Sequence, residues 1–461
     1  MNIPRILLSA PASGSGKSTI VTALMAAFSQ NMPVQGFKVG PDFVDPMYHQ
    51  AATGRPSINL DSWMLEPDTI LKSFQRNCLG SELAIIEGVM GLFDGFGSNP
   101  FSGSTAEIAR LTSTPVILVL DASKLSSTAA AIIKGLDSFH PHLKLSGVIC
   151  NKVGSERHAK ILREAIQSYT DVVVLGCLPR LTELELPERK LGLLPVGERP
   201  QATRQFILTA RTIVQKYLDL DKLLAIASQA AVLPAFPSSG TPAVQKTVRI
   251  GVAKDEAFCF YYQDDLNTLE EQGVQIVPFS PLRDLHLPEN LDGLFFGGGY
   301  VELYAQPLSK NVEMLRQIRA WCRQDKPLYT EGASFVYLCE AYHDNEETFP
   351  LVSAIPGYCE ASPKLTMGYR NVELANDTLL GPAGLMLRGH EFHYSRWIAP
   401  EGRSLAYRIE NRSASSEISS EGWASGNLLA SFIHLPFLQN KILTQSFIAR
   451  CHSKKGNKPH V

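Results

Sequence analysis

Short apolar runs alternate with helix-periodic stretches through the first half of this chain. Runs at 5–9, 34–38, 83–86, 116–120, 147–150 and 172–175 read as strands buried on both faces. The stretches between them carry the wider apolar spacing of helices. This alternation predicts an α/β unit with a doubly wound, mainly parallel sheet. A segment holding Pro234, Pro237, Ser238, Ser239, Gly240 and Pro242 interrupts the rhythm and predicts a linker at 233–246. The rhythm restarts at 249–253, 275–278, 293–296 and 328–330, with a helix over 311–323, so a second α/β domain is expected. The expected divisions are 1–232, 247–440, and an extension with a basic tail at 441–461.

The first strand runs directly into Ala10-Pro11-Ala12-Ser13-Gly14-Ser15-Gly16-Lys17-Ser18-Thr19, and a helical pattern over 20–28 follows. Strand, Gly/Ser loop, lysine and helix together suit a nucleoside phosphate. Loop N–H groups line the cradle, the helix N-terminus adds positive potential, and Lys17 adds a point charge. Ser18 or Thr19 can offer a hydroxyl to Mg²⁺. The spacing departs from a strict phosphate-loop pattern, because Pro11 stands at its first glycine position. The bland alternative is a Gly/Ser turn with an exposed lysine.

In parallel α/β sheets, ligands sit beyond the carboxyl ends of strands. Asp42 and Asp45 lie on a Gly/Pro loop after the second strand, and they suit Mg²⁺ or a supporting role around it; two turn-forming aspartates are the alternative. Glu87 ends a hydrophobic strand and opens Gly88-Val89-Met90-Gly91-Leu92-Phe93-Asp94-Gly95. An acid there suits Mg²⁺ binding or organisation of the reacting groups. Asn151 follows the strand at 147–150, where its side chain can meet an adenine edge.

Composition narrows the picture. A chain of 461 residues with 44% hydrophobic content can fill more than one core. A formal charge of −2 gives no reason to expect a nucleic-acid partner. The eight cysteines show no metal-type spacing, so reduced thiols in a cytoplasmic protein are expected. No apolar run approaches the ~20 residues of a membrane span.

The motifs together resemble the cobyrinic acid a,c-diamide synthase family, the corrinoid branch of glutamine-dependent amidoligases. The matching stretches are 13–19, 37–46 with His49, 59–64, 87–95, 103–106 and 151–158. Beyond the linker, 255–262, 279–282, 297–300 and 389–395 match as well. The resemblance implies a dethiobiotin-synthetase-like ATP domain followed by a class I glutamine-amidotransferase-like domain. It implies ATP- and Mg²⁺-dependent amidation of the a- and c-acetates of a corrinoid, through acyl phosphates. The implied catalytic residues are Lys17, Asp42, Asp45, Glu87 and Asp94. Nucleotide contacts fall to Gly14, Ser15, Gly16, Lys17, Ser18, Thr19 and Asn151, and metal contacts to Ser18, Asp45 and Glu87. The family's Arg-His-Leu-Gly-Leu stretch departs here at Lys190.

The second domain departs more sharply. The family's Tyr-Ala-Glu-Cys-Gly-Gly reads Tyr329-Thr330-Glu331-Gly332-Ala333-Ser334 here, so Gly332 stands at the nucleophile position. His434 matches the activating histidine, and its expected role without a thiol is structural. Pro436 replaces the family's second histidine. Neither Ser334 nor Cys339 is expected to act as a relocated nucleophile. The nitrogen is then expected from ammonia or a separate glutaminase, and a homodimer is left open. Two alternatives remain: amidation of another tetrapyrrole acid, of the sirohaem or nickel-sirohydrochlorin type, or a non-catalytic nucleotide- and tetrapyrrole-binding protein.

Overall fold

The computed structural model describes residues 2–97, 99, 101–180, 188–189, 192–193, 195–234, 236, 245–345, 347–401, 405–410 and 418–453. Lys190, most of the proline-rich segment and the residues after 453 lie outside them. The chain divides into two compact units, Met1–Ser238 and Ser239–Val461.

The first unit alternates strand and helix as its hydrophobic pattern predicts. Its elements are β1 (Arg5–Ser9), α1 (Lys17–Phe28), β2 (Val34–Val39), α2 (Val44–Thr53), β3 (Ile58–Leu60), α3 (Pro67–Asn77), β4 (Leu83–Glu87), α4 (Thr105–Leu111), β5 (Val116–Asp121), α5 (Thr128–Phe139), β6 (Leu145–Val153), α6 (Glu156–Tyr169) and β7 (Val174–Pro179). A short strand pair, β8 (Glu188–Arg189) and β9 (Gly192–Leu193), precedes α7 (Pro200–Tyr217) and α8 (Leu220–Ser228). The seven strands pair in the order β3-β2-β4-β1-β5-β6-β7, all parallel. β1 lies at the centre, so its following loop opens beyond the carboxyl edge between β4 and β5, where such sheets bind ligands. α1 is buried almost all round, and its Ala-rich, small-residue sequence lets it pack closely against α2 and α7.

Several expected strands end too early. β4 continues to Glu87, β5 to Asp121 and β6 to Val153. A polar residue breaks the apolar run, yet its backbone still satisfies the ladder. The polar ends of these strands are the positions that line the site. The strand expected at 172–175 begins later, at Val174, and β3 was too short for its pattern to register.

The second unit carries a parallel sheet and a larger mixed one. Its elements run β10 (Val248–Ala253), α9 (Gln263–Glu271), β11 (Val274–Phe279), β12 (Gly293–Phe296), α10 (Ala305–Lys310), α11 (Val312–Arg323), β13 (Leu328–Thr330), α12 (Ser334–Leu338), β14 (Ala341–Asp344) and β15 (Glu347–Pro350). They continue with β16 (Tyr358–Leu374), β17 (Met386–Ile398), β18 (Tyr407–Glu410), β19 (Ile418–Glu421), β20 (Trp423–Ser425), β21 (Leu428–Ala430), β22 (Ile433–His434) and α13 (Lys441–Ser453). The first sheet is ordered β11-β10-β12-β13-β21-β20, parallel except for β20. The long pair β16–β17 anchors the second, and no apolar run in the sequence announces it, because its exposed face is polar.

Of the residues after 440, Lys441–Ser453 form α13. α13 buries Leu443, Phe447 and Cys451 completely, and Cys451 packs so close to Gly293 that a Cβ there would lie 2.6 Å from its Sγ. Phe447→Ala is expected to lower the stability of this unit by about 3–5 kcal/mol, because the ring sits in a close-packed core. Chemical denaturation followed by tryptophan fluorescence measures it, Trp321, Trp397 and Trp423 all lying in this unit.

Candidate active site

The loop after β1 meets α1 at Gly16, with Gly14 and Gly16 at φ of 79° and 85°. A side chain is disfavoured at both, so glycine sets the path of the loop. Lys17 donates from Nζ to the Met90 carbonyl at 3.0 Å. Leu92 N–H bonds the Ala10 carbonyl, which seats the 88–95 loop against the phosphate loop. Burial, with the Lys38 charge behind it, brings the Lys17 ammonium down to about 8.

Beneath this loop lies a buried charge cluster. Lys38, near the end of β2, stands directly opposite Glu87 on β4. Its Nζ lies 2.6 Å from Asp45 Oδ2 and 3.0 Å from Glu87 Oε1. Ser18 Oγ donates to the same Glu87 oxygen at 2.6 Å. His49 Nε2 meets Glu87 Oε2 at 2.7 Å, and its Nδ1 meets Ser57 Oγ at 2.9 Å. Burial works against the Lys38 charge, but Asp45 and Glu87 outweigh it and hold the ammonium above the ordinary lysine range. Burial, reinforced by the Glu87 charge, pushes Asp45 up to about 8. Glu87 goes the other way: despite burial, Lys38 and His49 keep it well below the usual carboxylate range. Two carboxylates therefore share one site with their proton affinities pushed apart.

The predicted residues sort into distinct places. Ser18, Glu87 and Asp45 come together, with Asp45 joined through Lys38. Asp42 Oδ1 accepts from the N–H groups of Val44 and Asp45 at 2.8 Å each, so it ties down the first turn of α2. Asp94 is exposed, and its Oδ2 accepts from Gly91 N–H at 2.8 Å, closing the turn beside the phosphate loop. Ser15 is buried and Thr19 half-buried on the loop and first helical turn. Asn151 Nδ2 donates to the Ser15 carbonyl at 2.9 Å. Lys38 was not picked out from the sequence as a site residue, because a lysine inside an apolar strand gives no pattern of its own. The available signal was its position four residues before Asp42 in a strand that must be buried.

The residues suit Mg²⁺. Ser18 and an ionised Glu87 offer hard oxygen donors side by side next to a phosphate loop. Among the described residues no group of three or more His, Cys, Asp or Glu forms a closed cage.

The second unit holds an elbow without a nucleophile. β13 leads through Glu331 to Gly332, at φ 58°, and then into α12. A Cβ at Gly332 would lie 2.5 Å from His434 Nε2 and 3.2 Å from the Gly298 Cα. The imidazole therefore rests against the bare elbow where a side chain would start. Its Nδ1 lies 3.4 Å from Glu331 Oε2, while Glu331 Oε1 accepts from Tyr329 Oη at 2.6 Å and Leu435 N–H at 2.9 Å. Ser334 Oγ donates to the Gly297 carbonyl, and Cys339 Sγ to the Phe335 carbonyl at 3.4 Å. Glu331 was not singled out from the sequence, since its role depends on a fold that carries β22 back beside β17.

The sequence matches two family profiles. The CobQ/CobB/MinD/ParA nucleotide-binding domain covers residues 6–194, and the CobB/CobQ-like glutamine amidotransferase domain covers 249–442. A cobyrinate a,c-diamide synthase of Listeria monocytogenes serotype 4b (strain F2365) is 40% identical over 442 residues, spanning 95% of this chain and 97% of the relative. The chain belongs to the cobyrinate a,c-diamide synthase family. Family members from Picrophilus torridus and Dehalococcoides mccartyi (strain ATCC BAA-2266 / KCTC 15142 / 195) are each 39% identical, over 98% and 97% of this chain and 100% and 98% of their own lengths. Both carry the same name. Membership extends across both units, so the glycine elbow lies inside a domain of the glutamine-amidotransferase type.

Lys38→Met is expected to destabilise the protein by about 3–5 kcal/mol at pH 8, because it strands Asp45 and Glu87 against each other in a buried site. The loss should shrink towards pH 5, where the stranded pair more readily keeps a proton. Urea unfolding at the two pH values reads both effects.

Proposed function

We propose that the chain catalyses ATP-dependent amidation of the a- and c-acetate carboxylates of cobyrinic acid, in corrinoid synthesis, with free ammonia or ammonia from a separate glutaminase as nitrogen donor. The observation that carries the first half is the cluster of Lys17, Ser18, Lys38, Asp45 and Glu87 under a glycine-turned phosphate loop. The observation that carries the second half is Gly332, where the elbow offers no thiol.

A carboxylate is a poor acyl donor because its leaving group would be oxide. In the proposed reaction a substrate carboxylate oxygen attacks the γ-phosphorus of ATP, the bond to the bridging oxygen breaks, and ADP leaves. Ammonia then attacks the carbonyl carbon of the acyl phosphate, inorganic phosphate leaves, and a proton is lost as the amide forms. Lys17 supplies a cation to the phosphates from the loop, and the loop N–H groups hold their oxygens. Ser18 and Glu87 would hold Mg²⁺, which when bound neutralises phosphate charge. Lys38 and His49 keep Glu87 ionised and fixed in direction. Asp42 and Asp94 shape the two loops that border the site.

The direct test is ADP formation with cobyrinic acid and ammonium. It should depend on both and fall to background in Lys17→Ala; equal rates in the two proteins would remove this reading for that substrate. A parallel reaction with ¹⁵N-ammonium or amide-¹⁵N glutamine should place label in the product only from ammonium. Stoichiometric glutamate release from glutamine would overturn the nitrogen assignment.

Lys17 gives a second signature. With its pKa near 8, a large share of the free protein carries a neutral Lys17 at pH 8. Bound phosphates favour the ammonium, so ATP binding should take up about half a proton at pH 8 and almost none at pH 6.5. Calorimetry in buffers of different ionisation enthalpy counts that proton. The same depressed value means the folded protein holds fewer protons than the unfolded chain between about pH 8 and the ordinary lysine range, so this group's contribution to stability rises with pH there.

A further inference from the structure

The loop that leaves β4 carries a row of aromatic side chains beside the phosphate loop. Leu92 N–H is tied to the Ala10 carbonyl, and Asp94 to Gly91, so Phe93 sits on a turn fixed against that loop. The Phe96 N–H bonds the Ser102 carbonyl at 2.6 Å, which brings the chain back and returns Phe101 to Phe93. The Phe93 ring lies 6.4 Å from Phe101 and 4.6 Å from Phe139, the last residue of α5. Phe101 in turn lies 4.1 Å from the His140 ring. Three phenyl rings and an imidazole from two separate segments thus form one patch.

The patch stays in contact with water. Phe93, Phe101 and His140 are half-buried, and Phe139 is 59% exposed. Met90, three residues before Phe93, takes a left-handed φ of 49° and leaves its apolar side chain 54% exposed, while its carbonyl accepts from Lys17. Gly135, one turn before Phe139 on α5, has nothing within 4 Å of where a Cβ would lie, so open surface continues along the helix. Exposed apolar side chains gathered at the edge of a site mark a surface for a ligand or partner.

The proposed substrate supplies the reason for such a patch. A corrinoid is a broad macrocycle with two largely apolar faces and a rim of carboxylates. Its a- and c-acetates have to reach one phosphate site in turn, so the ring has to be held in two orientations. A fixed set of hydrogen bonds to the rim serves one orientation. Aromatic side chains act on the face of the ring through dispersion and buried area, and they tolerate its rotation. His140 Nδ1 accepts from the His142 N–H at 3.3 Å, which leaves Nε2 to carry the proton and donate to a rim carboxylate.

We infer that Phe93, Phe101 and Phe139, with His140 at their edge, form the platform on which the substrate macrocycle lies while its acetates are activated. The inference rests on the amidation reading above and adds to it the surface that holds the ring.

Calorimetric titration with cobyrinic acid and, separately, with ATP and Mg²⁺ tests it. Phe139→Ala is expected to weaken cobyrinic acid binding about five-fold, for one lost aromatic contact, and to leave ATP binding unchanged. Phe93→Ala combined with Phe139→Ala should weaken it further. Phe139→Tyr keeps the aromatic face and should bind cobyrinic acid as the wild type does. Because Phe139 is exposed, Phe139→Ala should also leave the thermal unfolding midpoint unchanged, which separates lost binding from lost folding. Equal cobyrinic acid affinity in the wild type and Phe139→Ala would overturn the platform and leave the amidation reading standing. Parallel losses for both ligands would overturn it as well. A dimer that dissociates in Phe139→Ala, with cobyrinic acid affinity unchanged, would make the patch a subunit contact instead. A wild-type protein that binds ATP but not cobyrinic acid would remove the amidation reading for that substrate and the platform with it.

Discussion

A single ammonium, Lys38 Nζ, holds the first unit's site together. It is buried inside a strand whose six residues are all buried, where an unpaired charge would be intolerable. Two carboxylates answer it, from elements far apart in sequence: Asp45 in the first turn of α2 and Glu87 at the end of β4. Glu87 in turn takes Ser18 from the phosphate loop and His49 from α2. One buried cation thus fixes the spacing of β2, β4, α1 and α2 at the edge where a phosphate would sit. Because it also drives the two acids' proton affinities apart, it leaves one ionised oxygen donor beside the loop and a second acid poised near neutrality.

The second unit shows how an elbow is held with a glycine at its tip. The elbow takes a left-handed turn, the glycines at 297–299 lie in close approach to their neighbours, and His434 faces the acid Glu331. These features are held by packing that does not involve a thiol. Glu331 satisfies a tyrosine hydroxyl and a backbone N–H as well as facing the imidazole, and the Gly299 position is pressed against the Ala257 carbonyl. The imidazole lies where a side chain on Gly332 would begin. Family membership extends over this domain as well, with a glycine at the elbow.

Much of the first unit was legible because parallel strands write themselves as apolar runs, and the glycines of the loop at 14 and 16 mark turns that only glycine takes easily. Glu87 and Asp45 were legible as acids following such runs. Lys38 was not, since its meaning depends on the register that sets it opposite Glu87. Asn151, expected just after a strand, lies within β6, and its contact was not readable: the bulge beside it leaves no mark in the residue pattern. In the second unit the β16–β17 pair went unseen because its polar, half-exposed positions carry no strong alternation, and α13 read as an appendage because its three core residues are spread through a polar helix.

By itself, then, the sequence determined the α/β alternation, the phosphate loop, the acids that border it, and the glycine at 332. These are local facts: each depends on residue type and near neighbours, and backbone sterics and burial act on them directly. Only the tertiary structure decided which of those residues share a proton, which hold a loop in place and which face one another. Those relations arise from strand register, a bulge, and returning chain segments, and they are properties of pairs distant in sequence. Lys38 with Glu87, Asn151 with Ser15, and His434 over Gly332 are all of that kind.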